Sequence, residues 1–215
     1  MQVAQHRYWP WIVGVGLSSS LVGWWYLIAL TSNASVIPII EWVKLGGGIQ
    51  AEIFGTQPWR LVTASMHHAT FGHLITNAIL LASITILTGP LIGCQRLISS
   101  FLTSGWVATA ISMGMTDTWL VGASGGIHGI LGTAVIMIGR QKHKHAVLIA
   151  VVVALLALVL GQMGQGFNPA HLLGFSAGAL FGIISRIQWV VMVVFKLALG
   201  VYSLGVCLFL YNALS

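Results

Sequence analysis

The sequence is poor in charge. Only 6% of its 215 residues are charged, and the acids are limited to Glu41, Glu52 and Asp117. A soluble domain carries about 25% charged residues, so that class is excluded, and a hydrophobic content of 57% indicates an integral membrane protein whose spans fill most of the chain. Cysteine is scarce as well. Cys94 and Cys207 lie far apart, in or beside apolar runs, and read as buried thiols rather than as a disulfide or a metal clip. Neither C-x-x-C nor H-E-x-x-H occurs, so the common kinds of metal chemistry have no motif here and no cofactor is expected. The formal charge of +6 comes from basic residues scattered singly along the chain, which speaks against a nucleic-acid partner. The expected partner is the bilayer, and residues 1–215 are expected to form one integral membrane domain.

What is present is a series of apolar runs. Trp11 to Leu30 is the first, about 20 residues long and sufficient to span; Ser32 and Ala34 also offer a passable signal-peptidase site, but Trp24, Trp25 and Tyr26 resemble an interfacial belt, which favours a retained helix. A long connection to Arg60 follows, of the kind that is more often functional or interfacial than idle. The second run is expected from Phe71 to Leu87 and the third from Leu97 to Met115, separated by Gly89, Pro90 and Arg96. Then come a fourth from the Ser124 segment to Gly139, a fifth from Ala146 to Leu160, a sixth from Ala170 to Ile184 and a seventh from Trp189 to Tyr211. The seventh either spans or lies flat; its Lys196 snorkels or faces a polar cleft. With a cytoplasmic N-terminus, the inner loops hold Arg7, Arg96, Arg140, Lys142, Lys144 and Arg186, while the outer ones hold Lys44, Arg60 and all three acids, in keeping with the positive-inside rule.

Leu120 to Thr133 reads LVGASGGIHGILGT. Its glycines suit close helix contacts, and packing alone would explain Gly125 and Gly129. Yet Ser124 falls at a helix start, where free backbone N–H groups and the helix dipole stabilise a developing oxyanion. His128 lies one turn on, on the same face. A serine nucleophile also needs a base.

Asn168-Pro169-Ala170-His171 reads as a second helix start, with asparagine as N-cap and proline at the first position. Gly174, Gly178 and Gly182 follow at helical spacing and would let this helix press closely against the one after Ser124. Depth gives an independent comparison. Ser124 precedes Arg140 by 16 residues and His171 precedes Arg186 by 15; at ~1.5 Å per residue each lies ~23 to 24 Å from the inner boundary, or ~6 Å below the outer face of a ~30 Å hydrocarbon core. The expectation is a Ser124/His171 dyad, since no carboxylate completes a triad unless Asp117 folds back across its loop.

A third group is Met66-His67-His68-Ala69-Thr70-Phe71-Gly72-His73-Leu74-Ile75-Thr76-Asn77. His73 and Asn77 are one turn apart and present donors on one face at the outer end of the second run. Such donors suit an oxyanion better than lipid, which would leave them unpaired; a haem or metal cluster is the competing reading of these histidines.

Together these motifs resemble the rhomboid family of intramembrane serine proteases over roughly Pro58 to Gly182. Gly122-Ala123-Ser124-Gly125 is similar to the family's G-x-S-G nucleophile motif. His171, followed by Gly174 and Gly178, resembles its base, and His68, His73 and Asn77 match its H-x-x-x-x-H-x-x-x-N pattern. Trp59-Arg60 resembles its tryptophan-arginine pair. The resemblance implies an all-α rhomboid-like six-helix bundle with an additional C-terminal helix, and an oxyanion hole formed by the Ser124 N–H, His73 and Asn77. Many rhomboids have tyrosine where this chain has His128. A histidine there resembles the rhombosortase subgroup, which trims glycine-rich C-terminal sorting helices in bacteria, and leaves open whether His128 only stacks or also shares proton handling.

The implied activity is hydrolysis of a peptide bond near the outer boundary of a transmembrane substrate, in a bacterial inner membrane, with Gly161 to Phe167 as a candidate cap. The implied partners are transmembrane protein substrates. An inactive relative that binds and escorts membrane helices, and a transporter or cofactor carrier using the histidines, are the alternatives.

Overall fold

The computed structural model describes residues 9–32, 54–115, 120–139 and 169–214, together with 145 and 152. The architecture is all-α. Its helices are α1 (Trp9–Ser32), the single turn α2 (Arg60–Thr63), α3 (Phe71–Ile92), α4 (Cys94–Met113), α5 (Ser124–Ile138), α6 (Pro169–Ile184) and α7 (Gln188–Leu214). Apart from residue 152, the expected fifth run at 146–160 lies outside the described residues, as do the loop at 161–167, Asn168, Asp117 and the basic residues 140–144.

The bundle is built around α5. Its residues from Ser124 to Ala134 are all buried, and α3, α4 and α6 pack around it. Bilayer lipid is as apolar as leucine, so contact between helices depends on close backbone approach and interhelical hydrogen bonds rather than on hydrophobicity. The α5/α6 contact uses the first of these: a Cβ built on Gly174 or Gly178 would collide with the carbonyl of Gly125 or Gly129. Thr133 supplies the second. Its hydroxyl lies 2.6 Å from Ser100 Oγ of α4 and donates to Gly178 O of α6 at 2.8 Å, tying three helices together at one level.

Thr70 caps α3, its Oγ1 accepting the His73 N–H at 3.1 Å, which relieves one of the orphan amides of the first turn. The separation expected at Gly89, Pro90 and Arg96 is corrected. Helix α3 continues through Gly89 and Pro90 to Ile92, and Arg96 already lies in the first turn of α4. Near the helix end, Pro90 forgoes only the hydrogen bond its missing N–H would have made, while the reversal is made at Gly93, whose φ of +83° suits a residue without Cβ. Arg96 then closes the same end of the bundle, donating through Nε to Ser185 O at 3.1 Å and through a terminal nitrogen to Gln188 Oε1 at 3.0 Å.

Helices α3 and α7 are each long and apolar enough to cross a membrane, while residues 12–26, α5 and α6 form shorter apolar helices. Their outward surface is apolar too: Ile79, Leu180 and Leu204 are all well exposed, as suits contact with lipid. Seventh in the series, the run at 189–211 lies within one continuous helix, Gln188–Leu214, of 27 residues and ~40 Å. It packs against α2 and α4.

Candidate active site

Ser124 is the first residue of α5 and His171 lies in the first turn of α6. The glycine contacts between these helices hold the two side chains level, with His171 Nε2 3.0 Å from Ser124 Oγ. Both residues are buried. His171 Nδ1 is buried without a hydrogen-bond partner among the described residues, so no carboxylate there orients the ring. His128 does contact it, stacking on His171 with ring centroids 4.5 Å apart and planes 11° from parallel. His128 is itself held by its own helix, since Nδ1 donates to the Ser124 carbonyl at 2.7 Å.

The turn before Ser124 is shaped by Gly122, whose φ of +110° is a backbone state that side chains with a Cβ rarely adopt. Space adds a second requirement. A Cβ there would stand 2.8 Å from His73 Cε1, 3.0 Å from His73 Nε2 and 3.4 Å from Asn77 Nδ2. His73 and Asn77, one turn apart on α3, thus both converge on the backbone that enters the serine helix. Asn77 is buried and its Nδ2 has no partner among the described residues. A buried amide without a partner is costly, and this one lies beside Gly122 in the turn that leads into α5.

His68 takes a different position from the other two. Its Nε2 accepts the Ala123 N–H at 3.4 Å, and its ring meets that of His73 edge-on at 5.0 Å. Burial, and then the neighbouring His73 charge, hold the His68 imidazole well below its ordinary range, at about 3, so it stays neutral and can accept.

One contributor lacks any sequence signal: the Ala64 carbonyl accepts the Gly122 N–H at 2.9 Å. Backbone groups carry no residue code, so only the tertiary structure reveals that the segment following α2 braces the serine turn. Arg60 is buried, with Nε donating to Gln57 Oε1 at 2.6 Å. Gly174 and Gly178 meet α5 at Gly125 and Gly129.

The Rhomboid domain family model matches residues 55–188, which include every residue of this site. The chain is similar to RHOMBOID-like protein 4 of Arabidopsis thaliana, 28% identical over 150 residues that cover 66% of this chain and 38% of that protein. It is similar also to the rhomboid protein YdcA of Bacillus subtilis (strain 168), 25% identical over 168 residues, 74% of this chain and 81% of that one. With Rhomboid-like protease 3 of Toxoplasma gondii it shares 31% identity over 109 residues, covering 50% and 41%. The chain spans between 35% and 48% of the length of the three Arabidopsis relatives it matches.

Proposed function

The chain belongs to the rhomboid family, and on that premise we propose that it is an intramembrane serine endopeptidase cleaving a peptide bond in or beside a transmembrane segment. The observation that carries this reading is the 3.0 Å approach of His171 Nε2 to Ser124 Oγ, within hydrogen-bond reach of a base for its nucleophile. His171 takes the hydroxyl proton as Oγ attacks the carbonyl carbon. The oxyanion that forms is met by the Ser124 N–H, by Asn77 Nδ2 and by His73, a reading supported by the approach of His73 and Asn77 to Gly122 in the turn before Ser124. His171 then returns the proton to the leaving amine, and water, deprotonated by the same imidazole, releases the acyl group and regenerates Ser124. A helical peptide bond is closed to attack, so the substrate unwinds first, and glycine-rich segments do so most readily.

His128 supports assignment to the rhombosortase subgroup, and hence a substrate with a glycine-rich C-terminal helix. The distribution of basic residues supports an N-terminus on the cytoplasmic side of a bacterial inner membrane, with cleavage near the opposite face.

The test is cleavage of a reporter bearing such a helix in proteoliposomes. Ser124→Ala and His171→Ala should each abolish it with the protein still inserted, and a serine-directed phosphonate should label wild type but not Ser124→Ala. Retained cleavage in either variant refutes the dyad. Absence of labelling and cleavage in wild type would favour the reading as an inactive, helix-escorting relative.

A further inference from the structure

Helix α7 packs against α2 and α4 and carries none of the residues just assigned to the chemistry. It nevertheless meets the segment that braces them at three consecutive turns of one face. Gly205 is buried against Val62, where an added Cβ would come within 2.8 Å of Val62 Cβ and 3.0 Å of both its methyl carbons. One turn earlier, the Tyr202 hydroxyl lies 3.6 Å from Met66 Sδ. One turn later, Phe209 packs edge-on against His67 at 6.0 Å and at a tilt of 55° against Trp24 at 5.1 Å. Positions 202, 205 and 209 are spaced as one helical stripe, whereas Leu197, Val201 and Leu204 on other faces are exposed.

The segment so held, residues 60–68, is poorly able to hold itself. Its only regular structure is the four-residue α2, and so short a helix has no stability of its own. Its other side leans on Met113 and Leu120 through Leu61 and Ala64. From between these supports it makes two hydrogen bonds to the serine turn: Ala64 O with the Gly122 N–H at 2.9 Å, and His68 Nε2 with the Ala123 N–H at 3.4 Å. These two amides immediately precede the Ser124 amide. A shift of the segment would therefore displace the two peptide units that lead into the one carrying the Ser124 N–H, and displacements near 1 Å in a reacting geometry cost on the order of a hundredfold in rate.

We infer that α7 is a positioning element for the oxyanion side of the site, acting through the Tyr202, Gly205 and Phe209 stripe on residues 62–67, and thence on Gly122 and Ala123. The inference rests on the protease reading above. A helix that served only as a membrane anchor would carry no such dependence.

The test is a wedge with a relief. Gly205→Val should lower kcat for the reporter at least tenfold with KM within about twofold, because the oxyanion is met only after the substrate is bound. Adding Val62→Ala should restore kcat to within about threefold of wild type by returning the space. Gly200→Val, at a position of the same helix with nothing within 4 Å, should leave kcat unchanged. If Gly205→Val does not accumulate, Phe209→Leu replaces it, removing the ring contact to His67, with a severalfold fall in kcat expected at an unchanged thermal midpoint. Wild-type kcat in Gly205→Val or in Phe209→Leu, a loss that Val62→Ala does not relieve, or an equal loss in Gly200→Val would overturn the inference while leaving the protease reading intact. Cleavage that persists in Ser124→Ala would instead sink that reading.

Discussion

His128 lies flat on His171, centroids 4.5 Å apart, with the rings inclined by only 11°. Nitrogen lone pairs and N–H bonds lie in the plane of an imidazole, so two parallel stacked rings cannot hand a proton from one to the other. The arrangement suits His128 to holding His171 in place by contact. An aromatic ring without nitrogen should then serve nearly as well: His128→Phe is expected to keep kcat within about threefold, and His128→Ala to lose about tenfold or more through a loosened base. Steady-state cleavage by the two variants decides it. Equal, large losses in both would assign His128 a part in proton handling.

Asn77 presents a conflict between folding and chemistry. A buried amide nitrogen with no partner among the described residues costs stability that an apolar side chain would not. Asn77→Ala is therefore expected to leave the thermal midpoint unchanged or raise it, while kcat falls by about a hundredfold, the usual consequence of losing one oxyanion donor. Thermal unfolding in detergent, beside cleavage rates, would reveal the opposite pattern if Asn77 were a structural residue.

The α5/α6 contact should be intolerant of a single methyl group. Gly178→Ala places a Cβ against the Gly129 carbonyl, and backbone cannot yield as the tip of a side chain does. A loss of about 1–3 kcal/mol is expected, accompanied by loss of activity as His171 moves away from Ser124. Gly23→Ala on α1, where the added carbon meets nothing within 4 Å, should be neutral or slightly stabilising in the same unfolding assay.

Acid should weaken the fold through His68. Burial keeps its folded pKa near about 3 against an ordinary value of 6.5, so between these values the unfolded chain binds a proton that the folded chain refuses. The stabilisation from this difference is fully present above pH 6.5 and is lost progressively as the pH falls toward 3, amounting to about 2 kcal/mol by pH 5. His68→Gln retains an acceptor for the Ala123 amide but cannot titrate. Its thermal midpoint should fall less than that of wild type between pH 7 and pH 5; parallel curves would show that His68 contributes nothing to the acid response.

Much of this was legible in the order of residues. The starts of α5 at Ser124, of α3 at Phe71 and of α6 at Pro169 coincide with the expected positions, because helix ends carry chemical signals such as the proline that opens α6. Helical spacing likewise put His73 beside Asn77 and gave Gly174 and Gly178 a common face. The expected break at Gly89 and Pro90 did not occur, because a proline near a helix end gives up one hydrogen bond and does not by itself turn the chain. Gly93 turns it, and its positive φ has no mark in composition.

The sequence by itself determined that the chain lives in lipid, which residues can donate, accept or attack, and that two glycine-bearing helices can approach closely. Only the tertiary structure decided that Ser124 and His171 stand 3.0 Å apart, that His128 lies parallel to the base, and that one stripe of α7 grips residues 62–67. The reason is a property of the bilayer. In water, burial separates an inward face from an outward one by polarity, but in lipid both faces are apolar, so Tyr202, Gly205 and Phe209 read in sequence like their lipid-facing neighbours until packing distinguishes them.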